Sequence, residues 1–169
     1  MRLLIRLVAL GSAAFLLAAS TGARAAANIG QVAPSLLVKE LSAAPFDLAA
    51  EHGHVVIVNF WATWCAPCRT EMPALDAFYR AHRAEGLELI GLSEDRARDR
   101  DDVVRVMQSF SYPAAMLGDA SRNGFGRPNV LPVTYVVDAT GVVRLALSPG
   151  KTAITEQTLN ETVLPLLSK

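Results

Sequence analysis

Short, mainly apolar runs recur along the chain and predict buried strands. The runs cover residues 55–60, 87–92 and 133–137. Runs of this length with little polar alternation are typical of strands covered on both faces of a sheet. A fourth run, 142–147, follows the turn-forming residues 138–141 and is expected to pair back onto 133–137 as a hairpin.

The segments between these strands carry apolar residues at helical spacing. Residues 66–84 predict a helix, and Gly86 follows where a helix commonly ends. The densely charged stretch 94–102 is expected to be a solvated loop and the start of a second helix. A last helix is predicted over 152–167. The predicted buried face of the second helix comprises Val103, Val104, Met107 and Phe110.

The resulting order is β-α-β-α-β-β-α after a short N-terminal extension, in which 36–41 and 45–48 are candidate short strands. Alternating strands and helices imply a mixed sheet flanked by helices on both faces. A chain of 169 residues suits one compact domain. It has no internal repeat or low-complexity tract, which argues against a solenoid, a propeller or a disordered protein.

The first 25 residues have the three-part pattern of a secretory signal. Two arginines precede an uncharged apolar run at 7–19, and residues 20–25 end in Ala-x-Ala. We therefore expect a cleavable signal at 1–25 and a mature domain at 26–169, located in the periplasm. The alternative is a retained inner-membrane anchor through residues 3–19, facing the periplasm, although a spanning helix normally needs about 20 apolar residues.

Charge and cysteine content narrow the function further. The full chain has 16 basic and 16 acidic residues. Loss of Arg2, Arg6 and Arg24 with the signal leaves 13 against 16, a net charge of −3. No basic excess indicates a nucleic-acid partner. Two cysteines, Cys65 and Cys68, are too few for a disulfide scaffold or a four-cysteine zinc site.

The two cysteines lie where the first buried strand passes into the first helix. At a helix N-terminus, free amides and the helix dipole favour a thiolate, which is the nucleophile in thiol–disulfide exchange. Cys68 lies about one turn after Cys65, so the two sulfurs can form a disulfide. Pro67 is tolerated between them because the first helical turn does not use its missing N–H.

Two other functions for this pair remain open on the residues alone. A purely structural disulfide would close only a four-residue loop and stabilise the fold little. A metal site would need His52 or His54 as further ligands, but the strand 55–60 separates them from the cysteines. We expect no metal and no other cofactor besides the redox-active cysteine pair.

The segment 58–73, Val-Asn-Phe-Trp-Ala-Thr-Trp-Cys-Ala-Pro-Cys-Arg-Thr-Glu-Met-Pro, resembles the active-site segment of thioredoxin-fold proteins. More narrowly, it resembles the exported, TlpA/ResA-like thiol–disulfide oxidoreductases of the redoxin branch. The resemblance extends over about 29–167. It implies an α/β, thioredoxin-like fold whose central mixed sheet is flanked by helices.

The resemblance also implies roles for residues around the pair. Leu131-Pro132 resembles the cis-proline loop that faces the two cysteines, leaves backbone free for a substrate strand and blocks metal capture. Trp64 is expected beside the disulfide as part of a docking surface, and Trp61 beneath it in the core.

The resemblance also indicates which residue could help to remove the proton of Cys68. Asn59 stands where thioredoxin has a buried aspartate, and an amide cannot take a proton from Cys68. The exported family instead resembles this chain in having an acid three residues after the second cysteine, here Glu71. Glu71 is the candidate for assisting deprotonation of Cys68. The alternative is a first-turn glutamate that only complements the helix dipole.

We expect a monomeric reductase in which Cys65 attacks a client disulfide and Cys68 resolves the mixed disulfide. The resemblance implies exported clients with cysteine pairs, at haem-attachment or copper sites. Its electron donor would be a membrane thiol-transfer protein.

Three alternatives remain. A peroxiredoxin-like peroxidase would have threonine and proline where this chain has Ala62 and Val58. A disulfide-donating oxidant is open because dithiol potentials on this fold span about −270 to −120 mV. A non-catalytic copper chaperone of this fold resembles Cys-x-x-x-Cys with a distant histidine, whereas no histidine follows His82 here.

Overall fold

The computed structural model describes residues 27–150 and 152–167. The signal predicted for 1–25 lies outside them. The chain runs through β1 (Leu36–Lys39), β2 (Pro45–Asp47), β3 (Val55–Trp61), α1 (Ala66–His82), β4 (Leu87–Ser93), α2 (Arg100–Met107), β5 (Ala114–Met116), β6 (Arg122–Asn123), β7 (Val133–Val137), β8 (Val143–Leu147), α3 (Glu156–Thr162) and α4 (Leu164–Leu167). Among these residues, no helix has the length and apolar character needed to cross a membrane.

Five strands form a central sheet in the order β5-β4-β3-β7-β8. β3, β4 and β5 are parallel, whereas β7 is antiparallel to β3 and β8 is antiparallel to β7. The predicted mixed sheet is therefore confirmed. β3 occupies its centre and is buried at every position, as its nearly continuous apolar run requires.

The two faces of the sheet are covered by different structures. Ile57 and Trp61 of β3 pack into a cluster that includes side chains from α1, α2 and α3. Val58 and Phe60 face a second cluster, which includes β1, β2 and two short 3-10 turns. The crossovers β3-α1-β4 and β4-α2-β5 advance in the same direction across the sheet. Right-handed crossovers place such helices on one face, and a small antiparallel sheet, β2-β1-β6, covers the other face in place of the α-helices predicted there.

Several predicted elements differ from the structure. β5 was not predicted, because three residues carry no periodic signal and their strand geometry depends on pairing with β4. The predicted last helix is divided at Val163 and begins only at Glu156, where the Thr155 side chain accepts a hydrogen bond from Thr158 N–H. α2 ends at Met107, so Phe110 lies beyond it, and Val104 is exposed.

Candidate active site

Cys65 and Cys68 lie at the junction of β3 and α1 and form a disulfide. Cys65 is the N-cap residue of α1, and its Sγ accepts a hydrogen bond from the Cys68 N–H at 3.3 Å. The helix N-terminus therefore presents an amide donor directly to the Cys65 sulfur. Such a donor stabilises a thiolate more than a thiol, which favours Cys65 as the nucleophile.

The two tryptophans near the pair have opposite environments. Trp64 is 70% exposed, whereas Trp61 is fully buried in the cluster beneath α1. Val130, two residues before Pro132, is also an exposed apolar residue that sequence reasoning missed. Exposed apolar side chains therefore occur on both chain segments that lead into the site.

The peptide bond between Leu131 and Pro132 is cis, as the resemblance implied. Phe60 of β3 pairs with Val133 of β7. Pro132 therefore lies at the end of the sheet where the chain runs on from β3 to Cys65.

Glu71 lines a small cavity together with Pro132, Thr134 and Ile154. Its Oε1 accepts a hydrogen bond from the Ile154 N–H at 3.1 Å, and its buried Oε2 has no hydrogen-bond partner among the described residues. Burial raises the pKa of Glu71, and the hydrogen bond from Ile154 lowers it in part. A half-buried carboxyl with a raised pKa is suited to exchange protons nearer to neutral pH.

Asn59 is hydrogen-bonded rather than free at the site. Its Nδ2 donates to Thr134 Oγ1 at 2.8 Å, and both residues are buried. Thr134 also lines the cavity of Glu71. Glu71 carries the one carboxyl group among the described residues that line this cavity.

Two acidic residues in the charged stretch are buried, contrary to the prediction of a solvated loop. Glu94 and Asp95 follow β4 directly and are both nearly inaccessible. The Arg127 guanidinium contacts Glu94 Oε2 at 3.3 Å and its backbone oxygen at 3.2 Å. Burial raises the pKa of Glu94, and Arg127 lowers it. The available signal was the position of Glu94 and Asp95 directly after β4, a strand of which six of seven residues are buried.

Asp95 bonds to the turn that precedes Cys65. Its carboxyl oxygens accept hydrogen bonds from the Thr63 N–H at 2.8 Å, the Thr63 hydroxyl at 2.6 Å and the Ser93 hydroxyl at 2.7 Å. This contact joins the end of β4 to the loop between β3 and α1.

The histidines considered as metal ligands lie away from the cysteines. His52 and His54 precede β3, and the seven-residue strand separates them from Cys65 by about 20 Å. In residues 27–150 and 152–167, no group of three or more histidine, cysteine, aspartate or glutamate residues is arranged to hold a metal ion.

Comparison with known proteins agrees with this geometry. Residues 29–146 match the model of the AhpC/TSA family. The thiol-disulfide oxidoreductase ResA of Bacillus thuringiensis subsp. konkukian is 34% identical over 117 residues, covering 69% of this chain and 67% of the relative. The thioredoxin-like protein YneN of Bacillus subtilis is 34% identical over 119 residues, 68% of each chain.

Solved structures show the same fold. A secreted thiol-disulfide isomerase from Corynebacterium glutamicum matches with a TM-score of 0.64 at 25% identity, covering 82% of this chain and 86% of that one. A thioredoxin-family thiol:disulfide interchange protein from Chlorobium tepidum matches with a TM-score of 0.66 at 24% identity, covering 81% and 96%. The predicted thioredoxin-like fold is confirmed. The chain belongs to the AhpC/TSA family, as one of its ResA-like thiol–disulfide oxidoreductases.

Proposed function

We propose that this oxidoreductase works in the periplasm as a monomer and reduces disulfides of exported client proteins through Cys65 and Cys68. The observation that carries the proposal is the asymmetry of the pair. The Cys65 sulfur caps α1 and accepts a hydrogen bond from the Cys68 N–H, whereas Cys68 lies within the first turn of the helix; both residues are buried, at 5% and 2% exposed. A capping sulfur that is stabilised as a thiolate, with a second thiol one turn along the same helix, suits a two-step exchange.

In the first step, the Cys65 thiolate attacks one sulfur of the client disulfide. The client S–S bond breaks, a mixed disulfide forms, and the released client sulfur takes up a proton. In the second step, Cys68 loses its proton and attacks the Cys65 sulfur. The second client sulfur then leaves, two electrons have passed to the client, and the Cys65–Cys68 disulfide of the present structure is formed.

Glu71 is the group we assign to the proton of Cys68. The two residues are three apart on α1, and such residues lie on one face of a helix. The hydrogen bond from Ile154 turns the Glu71 carboxyl toward the segment before α3 rather than toward bulk water. This placement favours a proton-transfer role over a simple complement to the helix dipole.

Client docking is assigned to the exposed side chains around the pair. An extended client segment would lie beside the backbone before Pro132, with its apolar side chains against Trp64 and Val130. Pro67 shapes the first turn of α1 between the two cysteines. No metal or cofactor is needed, because the cysteine pair itself carries the electrons.

The proposed clients are exported proteins with cysteine pairs, at haem-attachment or copper sites. The proposed electron donor is a membrane thiol-transfer protein. These assignments rest on the resemblance of segment 58–73 and on the signal predicted at 1–25. Fractionation and N-terminal sequencing of the expressed protein test the location, with a periplasmic chain beginning at Ala26 as the expected result.

The reaction is tested with the reduced protein and a disulfide-bonded peptide. We expect Cys65→Ala to abolish peptide reduction and Cys68→Ala to accumulate mixed disulfide. Full activity in either variant would exclude the dithiol mechanism. Equilibration with glutathione gives the direction, and a potential near −120 mV, at the oxidising end of this fold, would overturn the reductase assignment. Consumption of peroxide by the same sample would support the peroxidase alternative instead.

A further inference from the structure

A tight turn at residues 62–65 presents Trp64 and Cys65 at the end of β3. The turn is closed by a hydrogen bond from the Cys65 N–H to the Ala62 carbonyl at 3.1 Å. Thr63 occupies its second position, and both the backbone N–H and the hydroxyl of Thr63 bond to Asp95. The position of the nucleophilic sulfur therefore depends on a turn that is attached to another strand.

Asp95 lies two residues past the end of that neighbouring strand, β4, and is hydrogen-bonded to its last residue, Ser93. It is only 6% exposed, its carboxyl accepts from Ser93, and its own N–H donates back to the Ser93 hydroxyl at 3.1 Å. The next ladder bond, from the Glu94 N–H to the Trp61 carbonyl at 2.8 Å, carries the β3–β4 pairing up to the turn. Buried hydrogen bonds to a carboxyl group are strong and directional, so Asp95 restrains Thr63 in both position and orientation.

We propose that Asp95, acting through Thr63, is a positioning residue for the thiol–disulfide exchange: it holds Cys65 at the N-terminus of α1 when the disulfide is open. In the oxidised protein the bond to Cys68 itself restrains Cys65. The Asp95–Thr63 contact involves neither cysteine, so the redox reaction does not break it. In the reduced protein it takes over the restraint that the disulfide provided.

The restraint on Cys65 affects the reactivity of its thiolate. Stabilisation of a thiolate by helix amides and the helix dipole is confined to the first turn. A Cys65 sulfur that drifts from this position loses part of that stabilisation. Its thiolate fraction at a given pH then falls, and the rate of attack falls with it.

A contact of the same chemistry elsewhere in the fold supplies the control. At the β7–β8 turn, Asp138 Oδ1 accepts hydrogen bonds from the Thr140 N–H at 2.9 Å and the Thr140 hydroxyl at 2.7 Å. This turn lies away from both cysteines in the sequence and contributes nothing to the site. Thr63→Val and Thr140→Val therefore remove the same kind of hydrogen bond in two places.

The experiment measures alkylation of Cys65 by iodoacetamide against pH, in the full mature chain with Cys68→Ala as background. Thr63→Val changes no charge, so it reports positioning alone. We expect it to slow alkylation about fivefold to tenfold at neutral pH, to move the midpoint of the profile to higher pH, and to converge with the parent at high pH. Thr140→Val is expected to lower the melting temperature and leave the profile unchanged.

Asp95→Asn and the double variant Thr63→Val/Asp95→Asn complete a double-mutant cycle on the alkylation rate of Cys65. The double variant is expected to be no slower than the slower single variant, because both changes break one contact. Additive effects, or a Thr63→Val profile that matches the parent while stability falls, would overturn the proposal. If Asp95→Asn does not fold, Thr63→Val alone decides. A parent with an unreactive Cys65 would contradict the redox function itself rather than this inference.

Discussion

Two aspartates in this fold each hold a threonine through its N–H and its hydroxyl, but they connect very different parts of the chain. Asp138 holds Thr140, two positions away, within the β7–β8 turn. Asp95 holds Thr63, 32 positions away, across the ends of β3 and β4. The first contact shapes a hairpin that faces solvent in part, and the second attaches the loop that carries Cys65.

The difference shows how one local interaction acquires a functional role through its place in the fold. A turn such as 138–141 forms from neighbouring residues, because the aspartate side chain accepts hydrogen bonds from residues that follow it closely in the chain. The turn at 62–65 is anchored from another strand, so its geometry depends on the whole sheet. A loss at the hairpin is therefore expected to affect stability, and a loss at the β4 end to affect stability and reactivity together.

The largest expected difference comes from Asp95→Ala against Asp138→Ala. Asp95→Ala leaves the buried Ser93 hydroxyl and the Thr63 N–H without their acceptor, and we expect a loss of about 3 kcal/mol in unfolding free energy. Asp138→Ala is expected to cost about half of that, because water can reach its exposed partners Thr140 and Arg144. Urea unfolding of both variants measures these losses, and equal losses would show that the burial of the partners of Asp95 does not matter for stability.

Glu71→Gln tests a carboxyl group that is proposed to accept a proton, whereas the carboxyl groups of Asp95 and Asp138 hold turns in place. We expect resolution of the mixed disulfide to slow at least about tenfold near neutral pH, because Cys68 loses its proton acceptor. Stopped-flow release of the client thiol measures this step, with alkylation of Cys65 as the unaffected control. An unchanged pH profile of the release would remove Glu71 from the mechanism.

The same variant has a defined effect on stability. Because burial raises the folded-state pKa of Glu71, its ionisation opposes folding. This cost is absent below the ordinary glutamate pKa and fully present above the raised value. The glutamine of Glu71→Gln can still accept the hydrogen bond from the Ile154 N–H. We therefore expect the variant to have a higher melting temperature than the parent at pH 7, and this advantage to be absent at pH 4. A loss at pH 7 that is absent at pH 4 would contradict the assigned direction.

Arg127→Ala tests how much the ion pair between Arg127 and Glu94 contributes to stability. The pair could matter as much as the buried contacts of Asp95, or as little as an ion pair on the surface. Arg127 is exposed, but its partner Glu94 is buried, so we expect a loss of about 1 kcal/mol at pH 7 and less at pH 4. Glu94→Gln in the same background should recover stability at pH 7, as read from urea unfolding. Equal losses at both pH values would show that the charge of Glu94 does not contribute to the destabilisation by Arg127→Ala.

The smallest effect is expected for Asp138→Asn, whose amide oxygen can still accept hydrogen bonds but which lacks a stabilisation that the carboxylate supplies at neutral pH and loses in acid. Burial alone would raise the pKa of Asp138, but hydrogen bonds from Thr140, Val142 and Arg144 lower it to about 2. The stabilisation is present above the ordinary value of 3.8 and is lost as the pH falls toward 2. The variant should show a shallower loss of stability over that window, with unchanged Cys65 alkylation. An acid dependence as steep as that of the parent would assign the titration to another group.

Local patterns were sufficient for much of this molecule. The strands β3, β4 and β7 follow from continuous apolar runs, and α1 from periodic spacing followed by Gly86. The placement of Cys65 and Cys68 between β3 and α1 followed from the same patterns. The cis bond before Pro132 was expected only through the resemblance, since no local signal distinguishes a cis from a trans proline.

Local sequence signals are enough to identify the redox pair, its position at a helix N-terminus and the hairpin turn held by Asp138, because each depends on neighbouring residues. The burial of Glu94 and Asp95 emerges only in the folded chain, since their partners Arg127 and Thr63 lie 33 and 32 positions away. The same holds for the cavity that Glu71 shares with Pro132. A charged side chain becomes buried only where a folded neighbour supplies its hydrogen bonds, and no local pattern records that neighbour.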